Sequence, residues 1–230
     1  MNAILQALEG GLIVSIQPEA GSALNTPETV AALARCAVAN GAVGVRIEGP
    51  ERLRAVRAAV AVPIVGILKR AHPGFAPYIT STLDEVAAVA EAGATVVAFD
   101  ATARTRSGGA DVRALVRAAQ TAGCLAMADC ATRADAAAAA EAGADIVATT
   151  LAGYTEETKG RPLPDLELVT ELARLHPFAI CEGGIASPDG LRAALRAGAR
   201  AAVVGNALTN VDARIRAFSD VTFRVAQTST

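Results

Sequence analysis

Asn40-Gly41-Ala42-Val43, Ala92-Gly93-Ala94-Thr95, Ala142-Gly143-Ala144-Asp145 and Ala197-Gly198-Ala199-Arg200 are four versions of one phrase. Each follows an Ala-rich stretch of helical period and precedes a short β-branched run. The glycine ends the helix, because it alone enters the left-handed backbone region without steric cost. The alanine after it suits close packing beneath the strand that follows. The four glycines lie 52, 50 and 55 residues apart, about twice the length of one strand-plus-helix unit, so the phrase marks every second strand of a larger set.

Reading between the repeats predicts strands near 11–16, 43–48, 63–68, 95–100, 124–129, 145–150, 178–182 and 201–205. They are continuous apolar runs, the pattern of parallel strands covered on both faces. Helices are predicted near 26–39, 50–60, 82–92, 109–122, 132–142, 165–175, 188–197 and 211–218. Thr26-Pro27-Glu28, Ser81-Thr82-Leu83-Asp84-Glu85 and Ser187-Pro188-Asp189 read as capped helix starts. Eight strands alternating with eight helices imply an α/β fold, a (β/α)8 TIM barrel, as a single domain over 1–230. A doubly wound sheet is the rival, and the fourfold repeat favours closure.

Composition agrees with a barrel and excludes several classes. The chain has 230 residues, 52% of them hydrophobic and 19% charged, so an extended disordered protein is ruled out. Aromatics are 3% and Trp is absent, which leaves the core to Ala, Val, Ile and Leu. The net charge of −2 comes with no basic block, so no nucleic-acid partner is expected. The longest apolar stretch, Ala58 to Leu68, has 11 residues and contains Pro63, too short for a membrane span. No basic segment precedes an apolar one at the N-terminus, and Cys36, Cys124, Cys130 and Cys181 show no metal-knuckle spacing. Three of these cysteines fall in or beside predicted strands as small hydrophobes. A cytoplasmic home is expected, and the tail Gln227–Thr230 is expected to fray.

Barrel chemistry gathers at the C-terminal ends of the strands, and here each end carries something polar or backbone-baring. In order these are Gln17, Arg46 with Glu48, Lys69-Arg70, Asp100, Asp129, Thr149-Thr150, Glu182 and Gly205-Asn206. Lys69 ends a run too apolar to lie outside the barrel wall, so partial desolvation should lower its pKa and free its amine. Glu182 lies four strands away, across the mouth of a closed barrel, so amine and carboxyl would flank one bound molecule. Gly183, Gly184, Gly205 and Asn206 follow the seventh and eighth strands, where bared N–H groups can hold a phosphate ahead of helices near Pro188 and Thr209. His72 and His176 are the only histidines. No metal-ligand cluster, hydrolase elbow or dinucleotide glycine motif is present, so no metal and no cofactor are expected.

With these residues in view, the chain resembles the N-acetylmannosamine-6-phosphate 2-epimerase family from about Gly10 to Phe218. The resemblance rests on Gly11-Leu12-Ile13-Val14-Ser15-Ile16-Gln17, Gly44-Val45-Arg46-Ile47-Glu48-Gly49 and Val65-Gly66-Ile67-Leu68-Lys69-Arg70. It continues through Phe99-Asp100-Ala101-Thr102-Ala103-Arg104, Met127-Ala128-Asp129-Cys130, Thr149-Thr150-Leu151-Ala152-Gly153-Tyr154-Thr155 and Cys181-Glu182-Gly183. It implies interconversion of N-acetylmannosamine 6-phosphate and N-acetylglucosamine 6-phosphate, with Lys69 as the C2 base and Glu182 as acid/base partner. Gln17, Arg46, Asp129, Thr150 and Tyr154 would hold the sugar, with no nicotinamide or metal required. Two positions depart from the family pattern: Gly184 and Asn210 stand where arginines are usual, which removes cations beside the expected phosphate site. The residues also allow Schiff-base lyase or synthase chemistry at Lys69, or a non-catalytic phosphosugar-binding protein. A homodimer is allowed, and the sequence does not decide the oligomeric state.

Overall fold

The computed structural model describes residues 2–221; the expected fraying at Gln227–Thr230 falls outside them. Eight parallel strands pair in chain order and close, β1 to β8, into a barrel. They are β1 (Leu12–Ile16), β2 (Gly44–Glu48), β3 (Ile64–Ile67), β4 (Val96–Asp100), β5 (Leu125–Asp129), β6 (Ile146–Ala148), β7 (Ala179–Glu182) and β8 (Ala201–Val204). The helices are α1 (Ala3–Leu8), α2 (Pro27–Ala39), α3 (Pro50–Ala59), α4 (Leu83–Glu91), α5 (Val112–Thr121) and α6 (Arg133–Glu141), then α7 (Leu166–Leu175), α8 (Pro188–Arg196), α9 (Asn206–Thr209) and α10 (Val211–Ser219). The eight predicted strands and eight predicted helices are all present. The sixth strand is shorter than expected, leaving Thr149 and Thr150 just beyond it.

The glycine phrase works as its chemistry requires. Gly41, Gly93, Gly143 and Gly198 have φ of 96°, 99°, 89° and 108°, and the alanine after each is buried. At the other helix ends, Thr26 accepts a hydrogen bond from Thr29 N, and Ser187 from Gly190 N. Thr82 and Glu85 form a reciprocal capping box, as do Thr132 and Asp135.

Two helices have no counterpart in the sequence reading. α1, capped by Asn2 Oδ1 on Ile4 N at 2.8 Å, places the fully buried Leu8 against the barrel interior and so closes its base. α9 begins at Asn206, so the helical turn after β8 starts three residues before the expected Thr209. Both are too short for hydrophobic periodicity to reveal them.

Side-chain alternation divides each strand between two cores. Ile13, Val65, Ile67, Val96, Ala98, Met127, Ile146, Ala148, Ile180 and Val203 fill the interior. Val14, Ile16, Val45, Ile47, Val97 and Phe99 face the helices. Stepping two residues past the last interior apolar side chain of six strands lands on Ser15, Lys69, Asp100, Asp129, Thr150 and Glu182. Arg46 pairs in register with Ser15 and joins the same layer. The polar layer is therefore the top storey of the barrel interior, set by strand parity.

Gly66 in β3 measures how tightly the outer layer packs. A Cβ there would lie 2.6 Å from Val89 Cγ1 and 2.7 Å from Ala94 Cβ. Gly66→Ala should cost about 1–3 kcal/mol through overpacking, read as a lower guanidinium midpoint at unchanged slope. An unchanged midpoint would mean that α4 moves freely away from β3.

Candidate active site

The polar storey opens into a cavity of about 440 Å³ at the C-terminal end of the barrel. Gln17, Arg46, Lys69, Thr150, Tyr154 and Glu182 line it, and Gly183, Gly184, Gly205 and Asn206 form its other wall. Ten of the eleven site residues expected from the sequence thus meet on one space. Asp129 is the exception: it is fully buried and is not a wall residue, so a direct hold on a sugar is corrected to a supporting place beneath Arg46 and Thr150.

At the centre is a guanidinium shared by two carboxylates. Arg46 Nη1 donates to Asp129 Oδ1 at 3.1 Å and to Glu182 Oε2 at 2.6 Å, while Nη2 donates to Asp129 Oδ2 at 2.6 Å. Thr150 Oγ1 donates to Asp129 Oδ1 at 2.6 Å and lies 3.4 Å from Glu182 Oε2. Arg46 Nε is buried without a partner among the described residues. One cation cannot neutralise two anions, so the cluster carries an excess negative charge, and Glu182 is where it is relieved. Burial pushes the Glu182 carboxyl up to about 7 and Asp129 adds to the rise, against the pull of Arg46, Thr150 and Lys69. The same surroundings hold the Arg46 guanidinium above its ordinary range despite burial, through Asp129 and Glu182.

Lys69 stands two residues past the end of β3, in an antiparallel bridge with Ile79. Its backbone N–H reaches Glu48 Oε1 at 3.4 Å, and Glu48 is itself ion-paired with Arg52. The side chain opens to solvent at the mouth. Even so, desolvation by the cavity wall lowers its pKa, and the charge of Arg46 lowers it further, against Glu48, Glu182 and Asp129. Amine and carboxyl are therefore each moved toward neutrality, the arrangement suited to passing a proton.

Gln17 brings an unspent amide. Its Nε2 donates to Ser15 Oγ at 2.7 Å, and its Oε1 is buried without a partner among the described residues. Turning the amide end for end keeps the Ser15 contact with the hydroxyl donating, and presents an N–H to the cavity instead.

Ser15, Tyr78 and Arg214 also line the cavity and were missed in the sequence. Ser15 shares strand parity with Gln17, so its signal was there. Tyr78 sits in the long β3–α4 connection, with its phenol pKa raised by burial first and by Asp100 second. Asp100, expected at the mouth, is fully buried: Thr102 N and Oγ1 donate to Oδ1, and Arg104 Nη2 to Oδ2 at 2.6 Å. His176 is structural, with Nδ1 accepting from Phe178 N at 3.1 Å and Nε2 facing Ala144 O at 3.0 Å.

Comparison with known proteins points the same way. The sequence model of the family described as "Putative N-acetylmannosamine-6-phosphate epimerase" matches residues 30–223. The chain belongs to that family. A relative from Synechococcus elongatus named as the 2-epimerase is 47% identical over 218 residues, which cover 93% of this chain and 94% of the relative. One from Yersinia pseudotuberculosis is 45% identical over 212 residues, covering 92% and 90%. A solved structure, that of the N-acetylmannosamine-6-phosphate 2-epimerase from Clostridium perfringens, superposes with a TM-score of 0.91 at 35% identity, over 96% of this chain and 97% of that one. FabK from Thermotoga maritima, at 21% identity and a TM-score of 0.60, shares the fold alone. The epimerase relatives are isomerases of amino-sugar phosphates, and of the strand-end residues that carried the resemblance Gln17, Arg46, Lys69, Thr150 and Glu182 converge in the cavity described above.

Arg46 is the test of the electrostatics. Arg46→Met strands Asp129 and Glu182 as buried anions and should cost about 3–5 kcal/mol at pH 8. In that variant the Glu182 carboxyl, already raised to about 7 by burial and now without the pull of Arg46, binds its proton more readily folded than unfolded, so stability recovers as pH falls toward 5. A loss independent of pH, in denaturant titrations at both values, would assign the cost to packing instead of charge.

Proposed function

We propose that this chain interconverts N-acetylmannosamine 6-phosphate and N-acetylglucosamine 6-phosphate by moving the proton at C2. The observation that carries the reading is Lys69 and Glu182, on the facing strands β3 and β7, lining one cavity with their proton affinities drawn together. In the open-chain sugar the C1 aldehyde makes the C2 proton acidic. Lys69 takes that proton on one face, the electron pair delocalises onto the carbonyl oxygen, and Glu182 returns a proton on the opposite face. The reverse direction exchanges the two roles.

Arg46 does not need to touch the sugar in this scheme. Its Nη donors are committed to Asp129 and Glu182, so it keeps the Glu182 carboxyl aimed while preventing full loss of its acidity. Gln17 supplies the unspent amide for the oxygen that gains charge or for the acetamido group. Thr150 and Tyr154 complete the sugar's wall, and Gly183, Gly184, Gly205 and Asn206 the wall for its phosphate. No step calls for a nicotinamide or a metal. The Schiff-base alternative would also use a Lys69 amine of lowered pKa; the opposed Glu182 favours two-sided proton transfer.

We propose a cytoplasmic enzyme, the setting of metabolism on a phosphorylated sugar; separately, among the described residues no helix is long and apolar enough to cross a membrane. We also propose a homodimer. On α10, Val211, Ile215 and Phe218 are exposed at helical spacing, an apolar face of the kind that a second copy covers. Phe218→Asp should then shift the mass measured by light scattering toward the monomer.

Proton NMR in D2O tests the reaction. N-acetylmannosamine 6-phosphate should give N-acetylglucosamine 6-phosphate with deuterium at C2. Lys69→Ala should slow this by about a hundredfold to ten-thousandfold. Unchanged sugar without exchange at C2 sinks the epimerase reading. A Lys69 adduct trapped by borohydride would favour the Schiff-base one.

The pH profile follows from the pair acting with one shared proton. Activity should rise through about 7 as the doubly protonated pair loses its first proton. It should fall on an alkaline limb that lies below a lysine's ordinary 10.5. Glu182→Gln should abolish the limb near 7; the same inflection persisting in that variant would remove Glu182 from the acid/base role.

A further inference from the structure

Three basic side chains line the cavity, and two are accounted for. Arg46 is held by Asp129 and Glu182, and Lys69 stands at the reacting end. Arg214, the third, lies on α10 beyond β8 and makes no ion pair among the described residues. Its exposed arginine neighbours do: Arg216 pairs with Glu19, Arg200 with Glu9 and Arg192 with Asp189.

The wall that Arg214 shares is short of charge by construction. Gly184 cannot carry a side chain, since its φ is 71° and a Cβ would stand 2.2 Å from Leu163 Cβ and 3.1 Å from the Leu163 carbonyl carbon. Asn210 is spent as the cap of α10, accepting from Ala213 N at 3.0 Å. Gly183, Gly205 and Ala207 add no charge.

The backbone that carries Arg214 is nonetheless fixed. Its own N–H closes the first turn of α10 onto Asn210 O at 3.1 Å. The preceding α9 is tied to β1 by Thr209 Oγ1 donating to Ser15 O at 2.6 Å. A guanidinium that among the described residues has no counter-ion, on a wall with no other side-chain cation among them, is suited to a doubly charged oxyanion.

We propose that Arg214 is the phosphate-recognising cation of this chain, selecting a phosphomonoester over the free sugar from one turn inside α10. This rests on the epimerase reading for the identity of the sugar but not for the anion. Arg214 is a binding residue remote from C2, so its loss should weaken capture of the phosphosugar and leave the proton transfer intact.

Turnover and calorimetry on wild type, Arg214→Gln and Arg214→Lys test it. Arg214→Gln should raise KM for N-acetylmannosamine 6-phosphate about tenfold to a hundredfold with kcat near wild type. Arg214→Lys should recover part of this loss, and kcat/KM for unphosphorylated N-acetylmannosamine should not move. Calorimetry with inorganic phosphate should show the same ranking without any turnover. An unchanged KM in Arg214→Gln, beside a wild type that epimerises, overturns the assignment and leaves the epimerase reading standing. If the wild type does not epimerise, that reading falls and phosphate calorimetry decides alone. Weaker binding in Arg214→Gln then sustains the assignment, and equal or unmeasurable binding in both proteins overturns it.

Discussion

The guanidinium of Arg46, held between Asp129 and Glu182, ties three strands together at the top of the barrel. It joins β2 to β5 and β7 across the interior, and Thr150 bridges the same two carboxylates from the end of β6. As a source of stability a buried pair of this kind is weak, because desolvation offsets most of the Coulomb attraction. As a source of geometry it is strong, since a planar fork accepts few arrangements of its partners. Its burial is also what gives the cluster chemistry. Desolvation first, and the neighbouring Asp129 after it, move a carboxyl that would ordinarily ionise near 4.5 to about 7, against the pull of Arg46.

Closure of the sheet brings this cluster into being. In a parallel barrel the odd and even positions of every strand face different cores, and the inward positions stack in storeys. The lower storeys here are Ile, Val, Ala and Met, with α1 sealing the base through Leu8. The upper storey is polar on strand after strand, so groups distant in the chain, Arg46 and Glu182 among them, meet within hydrogen-bonding distance. Two members, Asp100 and Asp129, are satisfied internally and serve as supports. Those that open to the cavity keep something unspent: the Lys69 amine, the Gln17 amide and the Glu182 proton.

The wall formed by the loops after β7 and β8 follows a different logic. Leu163 from the β6–α7 connection lies so close to Gly184 that no side chain fits there without a shift. Asn210 is committed to capping α10. Among the described residues, the side-chain cation beside that wall is Arg214 of α10.

The sequence by itself determined the repeat, the eight strands, the glycine helix ends and most of the residues at the cavity, because these depend on local periodicity, backbone sterics and position at a strand end. Lys69, Glu182, Arg46 and Gln17 were legible for that reason, and Ser15 would have been by counting two residues back from Gln17. Depth was not legible: Asp129 and Gln17 are both polar groups at strand ends, and only the packed barrel puts one beneath an arginine and the other on the cavity wall. Nor were Tyr78 and Arg214, whose places depend on how a long loop and the last helix fold back over the mouth. Two short helices escaped as well, α1 and α9 being shorter than one amphipathic repeat. What the tertiary structure alone decided is which polar groups spend their hydrogen bonds on one another and which keep them for a ligand, because that division depends on distances across the barrel that no local pattern encodes.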